Sequence, residues 1–128
     1  ARKIGFSAYV GEGSARWPAV HTLDAARLYR LALEAAPAGS RIHAAAEEGV
    51  PFRSIAEAIG RGLDVPAKSI PAEEAGDLLG GFLGMITQLD NLTSSARTRE
   101  LLAWKPTHAD LLADIAEGHY FATPAQPA

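Results

Sequence analysis

The sequence predicts an α/β chain of the mixed α+β kind, mostly helical, with about five helices and three or four short strands. Three observations lead there. Apolar residues recur at helical spacing from Asp24 to Ala36 and again from Phe52 to Leu63. Apolar runs at Pro18–His21, Arg41–Ala46 and Val65–Ile70 are too short for helices and are bracketed by glycine or proline, as strands are. Hydrophobic residues make up 48% of the chain and charged ones 21%, a globular balance with no low-complexity segment or internal repeat.

The 128 residues suffice for one domain, which at this size buries roughly two-thirds of its unfolded surface. Net charge is −3 with acids and bases interspersed, so neither a nucleic-acid stripe nor a polybasic membrane patch is expected. Zero cysteines exclude disulfides, thiolate metal sites and a cysteine nucleophile. No apolar run approaches the roughly 18 residues of a spanning helix, and a cytoplasmic location is the expectation. Met85 is the only methionine, so the sequence as it stands does not begin at an initiator.

Ile4–Val10 reads as a strand or loop running into a turn at Gly11 and Gly13, glycines that admit φ > 0 and close backbone approach. Pro18–His21 follows as a short strand, and Thr22 or Asp24 is suited to cap the helix behind it. That helix, Asp24–Ala36, has a narrow polar stripe of Arg27, Arg30 and Glu34, so most of its circumference calls for cover. Pro37–Ser40 ends it, and Arg41–Ala46 reads as a buried strand. Gly49 and Pro51 open a second helix whose Phe52, Ile55, Ala56, Ile59 and Leu63 form a core-facing stripe. Val65–Ile70, bracketed by prolines, is at best an edge strand.

A third helix is expected from Pro71 to about Leu89, with acids in its first turn where the macrodipole favours them. Gly76, Gly80, Gly81 and Gly84 lie within it at roughly 1 kcal/mol each relative to alanine, which implies a kink or close packing, with close packing preferred. Thr93, Ser94 and Ser95 supply caps for a short helix through Leu102. Trp104–Thr107 stops it, and Thr107 caps a last helix from about His108 to Gly118 whose apolar face is Leu111, Leu112 and Ile115 and whose wet face is Asp110, Asp114 and Glu117. The domain is expected over residues 1–121, and the proline-and-alanine tail 122–128 is expected to be poorly ordered.

Chemistry-bearing residues are few. Arg16, beside the glycine turn, offers either a forked donor for a phosphate or carboxylate or a partner for a nearby acid. Glu47 and Glu48 follow the expected Arg41–Ala46 strand, where α/β folds place ligand loops, or else are solvated charges. His21, His43, His108 and His119 lack metal-ligand spacing, so no metal is expected. Ser94 and Ser95 have no evident base and serve better as caps than as nucleophiles. Arg97 and Arg99 are either solvated or anion-binding.

The stretch Gly11-Glu-Gly-Ser-Ala-Arg16-Trp-Pro-Ala-Val-His21-Thr-Leu-Asp24 resembles Gly-x-Gly-x-x-Arg-x-x-x-Val-His-x-x-Asp of extended short-chain dehydrogenases/reductases, the NAD-dependent epimerase/dehydratase family. Three further segments, Ala45–Arg53, Ser94–Thr107 and Gly118–Phe121, resemble the C-terminal part of an atypical branch of that family in the same order. The likeness covers nearly the whole chain. The family's Gly-x-x-Gly-x-x-Gly loop and Tyr-x-x-x-Lys pair have no counterpart, since none of Tyr9, Tyr29 and Tyr120 is followed four residues later by lysine.

The resemblance implies the C-terminal, substrate-binding portion of a Rossmann-type enzyme, with Arg16, Trp17, His21, Glu47 and Glu48 on the substrate side. It implies no catalytic or cofactor-binding residue in this chain, and NAD or NADP in the complete enzyme. Partners would be a small-molecule substrate and either the N-terminal Rossmann half or another copy, with no nucleic acid and no membrane. Trp17-Pro18 departs from the family's usual Asp-Phe or Asp-Tyr, which leaves a nucleotide-diphosphate sugar and a smaller carbonyl or hydroxyl compound equally open. The alternative is a self-standing, non-catalytic domain derived from the fold that binds a small ligand or a protein.

Overall fold

The first strand, β1 (Ser7–Val10), runs into the glycine turn, where Gly11 and Gly13 have φ of 56° and 64° in the computed structural model, which describes residues 1–122. A Cβ on Gly13 would lie 2.6 Å from Cβ of Arg53, so the close approach that the glycine allows is to the chain's own helix. That helix, α2 (Phe52–Leu63), has no side-chain cap. Ala15 O accepts from Phe52 N at 2.8 Å and Gly13 O from Arg53 N at 2.9 Å, so the turn satisfies donors that a helix start leaves free.

Two short sheets form. β1 pairs in parallel with β4 (Ala67–Ile70), from Ser7 opposite Ala67 to Val10 opposite Ile70. β2 (Arg16–Ala19) pairs antiparallel with β3 (Glu47–Pro51), with an irregularity between Trp17 and Ala19. Pro18 sits at that irregularity because it has no N–H to give the ladder. The expected edge strand before Pro71 is thus present, whereas the strand expected over Arg41–Ala46 is not, and Glu47 and Glu48 lie within β3 rather than after it. The reason is visible in the bonding. Residues 43–46 are held mainly by α5 (Ala96–Leu102) and its cap, with a single backbone bond to β2: His43 N donates to Thr98 Oγ1, Ser95 Oγ to Ala45 O, and Arg99 Nη2 to Ala46 O, while Ala46 N donates to Ala19 O.

Helix α1 spans Thr22–Ala35. Its cap is neither Thr22 nor Asp24 but His21, whose Nδ1 accepts from Leu23 N at 3.2 Å. The single helix expected from Pro71 to Leu89 is two, α3 (Ala72–Leu79) and α4 (Gly81–Ile86), broken at Gly80 with φ 87°. Both kink and close packing occur: Gly84 of α4 lies against the backbone of Ala75, where a Cβ would sit 2.6 Å from its carbonyl. The last helix, α6 (Leu111–Ala116), starts later than expected and is capped by Asp110 rather than Thr107, because the N–H groups of Thr107 and His108 are already bonded to Asp24. Asp114 also departs from expectation: it is buried, not on a wet face.

Apolar side chains gather in three small clusters rather than one core. Val50, Ile55, Ala58 and Ile115 join β3, α2 and α6; Ala8, Ile70 and Ala75 join the parallel sheet to α3; Leu28, Leu102 and Trp104 join α1 to α5. The chain is therefore α/β of the α+β kind, with six α-helices and four short strands among the described residues. Among those residues no helix is long and apolar enough to cross a membrane. The tail expected to be poorly ordered, at 123–128, lies outside the described residues.

Candidate functional site

Trp17 and Pro18 of β2 line a groove, and Arg16 lies next to it through its bond to Asp90. Arg16 and Trp17 start the strand, and the segment after α4 folds back over them: Arg16 N and Nε donate to Asp90 Oδ1 at 2.8 and 2.9 Å, Arg16 Nη2 donates to Asp90 Oδ2 at 2.6 Å, and Asn91 N donates to Arg16 O at 2.8 Å. Thr93 N closes the crossing on Glu48 O. Gly49 lets the crossing lie close, since a Cβ there would meet the Leu92 side chain at 2.4 Å and Cβ of Arg16 at 3.0 Å. The groove so formed has a volume of about 560 Å³ and is lined by Trp17, Pro18, Ile86, Leu89, Asp90 and Asn91. Its walls are indole, pyrrolidine and aliphatic, and its polar groups are one carboxylate and one amide.

The fork of Arg16 is thus filled by Asp90, both side chains remaining nearly half exposed at 44% and 47%. The hydrogen bond from Arg16 holds the Asp90 carboxyl down at about 2 and raises the guanidinium in turn. Of the two readings open to Arg16, the geometry corresponds to the pairing with an acid. An anionic ligand at this groove would meet a neutral pair rather than a free cation. Trp17 is steadied from behind by Phe52, ring centroids 5.1 Å apart and tilted by 59°.

His21 and Glu47 lie elsewhere. Glu47 Oε2 accepts from Leu111 N at 2.8 Å and so helps start α6. The His21 Nε2 lies 3.7 Å from Asp114 Oδ1, and its ring stacks on His108 at 4.6 Å and 12°. Asp114 also accepts from the Tyr120 hydroxyl, a bond that raises the phenol pKa, together with burial. Glu48 is exposed and contributes its carbonyl rather than its carboxylate. The five residues singled out from sequence are therefore not one site: Trp17 lines the groove and Arg16 is bonded to its Asp90, Glu47 helps start α6, His21 caps α1 beside Asp114, and Glu48 stays on the surface. Asp114, Glu117 and His119 bring ligand atoms within 4.8 Å of one another, but Glu117 and His119 are exposed and Asp114 is already bonded to Tyr120.

Sequence reasoning missed Ile86, Leu89, Asp90 and Asn91. The only signal available to it was a lone acid just past a glycine-rich helix, which has no periodicity and no spacing relative to Arg16. It also missed the weight carried by Asp24, which at 1% exposure accepts from Thr107 N, His108 N and His108 Nδ1. Trp104, wholly buried, donates through Nε1 to the Asp24 carbonyl at 3.0 Å.

Two fungal proteins are similar to this chain. A Schizosaccharomyces pombe protein described as uncharacterized is 50% identical over 121 residues, covering 94% of this chain and 41% of its own length. A Saccharomyces cerevisiae protein, also described as uncharacterized, is 44% identical over 115 residues, covering 90% of this chain and 38% of its own. The chain thus spans about two-fifths of the length of these curated relatives. No protein-family profile matches it, and no solved structure does.

Proposed function

We propose that this chain is the substrate-binding portion of an NAD(P)-dependent oxidoreductase or epimerase of the extended short-chain dehydrogenase/reductase type, in which the groove at Trp17 receives the substrate. The observation that carries this reading is the two-stranded parallel sheet of β1 and β4. Parallel strands belong to sheets covered on both faces and flanked by further strands, so a bare parallel pair suits the margin of a larger sheet. Relatives more than twice as long have room for that sheet. The groove supports a small carbonyl or hydroxyl compound over a nucleotide diphosphate: its walls are mostly apolar, and the nearby arginine is neutralised by Asp90.

The described residues do not fit a dinucleotide. A pyrophosphate needs a glycine turn whose helix-facing side is open to it, and Gly13, the turn glycine nearest α2, is packed against Arg53 and Tyr9. NAD or NADP therefore belongs to the part of the protein beyond this chain, and the chain alone neither binds the cofactor nor turns over.

Two measurements test the reading. In a full-length relative, NADH or NADPH binding seen by fluorescence should be present, and absent from the 128-residue chain. The Trp17→Ala change in the full-length protein should raise KM for a carbonyl substrate roughly tenfold, as loss of an aromatic wall does, with kcat within about twofold of the parent value. A full-length protein that binds neither nucleotide sinks the proposal and favours a self-standing binding domain.

A further inference from the structure

A second concavity lies away from the Trp17 groove and shares none of its lining residues. The turn after α1 brings Arg41 and His43 beside Ser94, Arg97 and Thr98 at the start of α5, around a hollow of about 490 Å³. A second hollow of about 710 Å³ also has Arg41 and Arg97 on its wall, together with Ser40 and Glu100. We propose that this concavity binds a phosphoryl group, either as the free ion or carried on a small metabolite.

Cationic capacity is left unspent at this concavity. Arg16, Arg30 and Arg53 pair with Asp90, Glu34 and Glu57, while Arg2, Arg27 and Arg99 donate to backbone carbonyls. Among the described residues Arg41, Arg61 and Arg97 have no such partner; Arg61 stands alone on another part of the surface, whereas Arg41 and Arg97 line the same hollows. The chain as a whole carries −3, yet the first hollow has no acid on its wall and the second has Glu100 alone. Two unneutralised guanidiniums match the charge of a phosphate dianion, where a carboxylate would offset only one, and their forked donors suit its oxygens.

The frame around them is fixed. His43 N donates to the buried Thr98 Oγ1 at 2.9 Å, and His43 Nδ1 lies 3.1 Å from Ser94 O. A carbonyl only accepts, so Nδ1 carries the proton and Nε2 is the free ring atom. Ser94 Oγ accepts from Ala96 N at 3.3 Å, which leaves its hydroxyl proton for a ligand. This proposal is independent of the dehydrogenase reading, because neither the groove nor any cofactor enters it.

The test is a titration of the 128-residue chain with inorganic phosphate, and in parallel with glucose 6-phosphate, replacing chloride at constant ionic strength and following backbone amides by NMR. Saturable shifts at His43 and Thr98 are expected, tighter for the sugar phosphate if the group is carried and equal if the free ion is the ligand. Arg41→Ala and Arg97→Ala should each weaken binding about tenfold, the scale of one lost charge-assisted contact, and Arg97→Gln, which keeps the side-chain stem, should do the same. Arg61→Ala, which removes an arginine outside these hollows, should change affinity less than about twofold. Shifts that never saturate, or an Arg61→Ala loss equal to that of Arg41→Ala, would reduce the site to general counterion attraction and overturn the proposal.

Discussion

Asp24 carries a negative charge where almost no water reaches it, and two opposing effects decide its protonation. Burial, the larger single effect, pushes the carboxyl up, but the hydrogen bonds from His108 and Thr107 together outweigh it and hold the group at about 2. An unfolded aspartate titrates near 3.9. A depressed folded value means stability that is complete above about pH 4 and is lost as pH falls toward 2. Asp24→Asn should therefore destabilise the chain near pH 6, by about 3 kcal/mol if one charge-assisted bond is lost outright. The gap between parent and variant should narrow when melts are repeated near pH 2.5. The exposed Arg16–Asp90 pair is a different case: solvent screens it, and Arg16→Ala should leave the melting temperature nearly unchanged.

Between α3 and α4, glycine has two different uses, and substitutions at the two positions should move stability in opposite directions. Gly84 is packed on the backbone of Ala75, which is wholly buried and has no flexible side chain to give way. A methyl there forces the two helices apart, and Gly84→Ala should cost about 1–3 kcal/mol, the range for overpacking. Gly76 lies inside α3 with nothing within 4 Å of an added Cβ, so Gly76→Ala should stabilise by up to about 1 kcal/mol through helix propensity alone. Thermal unfolding followed by circular dichroism reads both. Equal effects at the two sites would mean that the α3–α4 contact is looser than the described packing.

For the whole molecule the relevant quantity is surface. The chain exposes 8454 Å², against about 6,500 Å² expected of a compact monomer of 13.5 kDa. Large apolar side chains are part of that surface: Tyr29 and Leu33 on α1 are 71% and 88% exposed, and Phe82 and Met85 on α4 are also exposed. Apolar surface of this extent seeks cover, and the parallel sheet of β1 and β4 leaves edges open to pairing. The isolated chain is expected to self-associate, and to lose that tendency when supplied with the remainder of a longer relative. Light scattering checks this. A monodisperse 13.5 kDa monomer with a cooperative melt would mean that the three clusters suffice as a core, and would favour the self-standing domain.

Local signals in the sequence determined much of this protein: the positive-φ turn at Gly11 and Gly13, the α1 and α2 periodicities, the short strand before Pro71, and Arg16 beside the turn. Each depends on neighbours within one or two turns of chain, where a glycine, a proline or a 3.6-residue repeat acts directly on the backbone. Tertiary structure alone decided what those elements touch. Arg16 meets Asp90 across 74 residues and Asp24 meets Thr107 across 83, distances over which spacing carries no information about pairing. The Arg41–Ala46 run, apolar enough for a strand, found hydroxyls and a guanidinium from α5 and its cap, and only Ala46 reaches a strand. Burial turned Asp114 from a surface charge into the partner of Tyr120. Hydrogen-bonding capacity is written in the residue, but which donor satisfies it is settled only when distant segments compete for the same buried position.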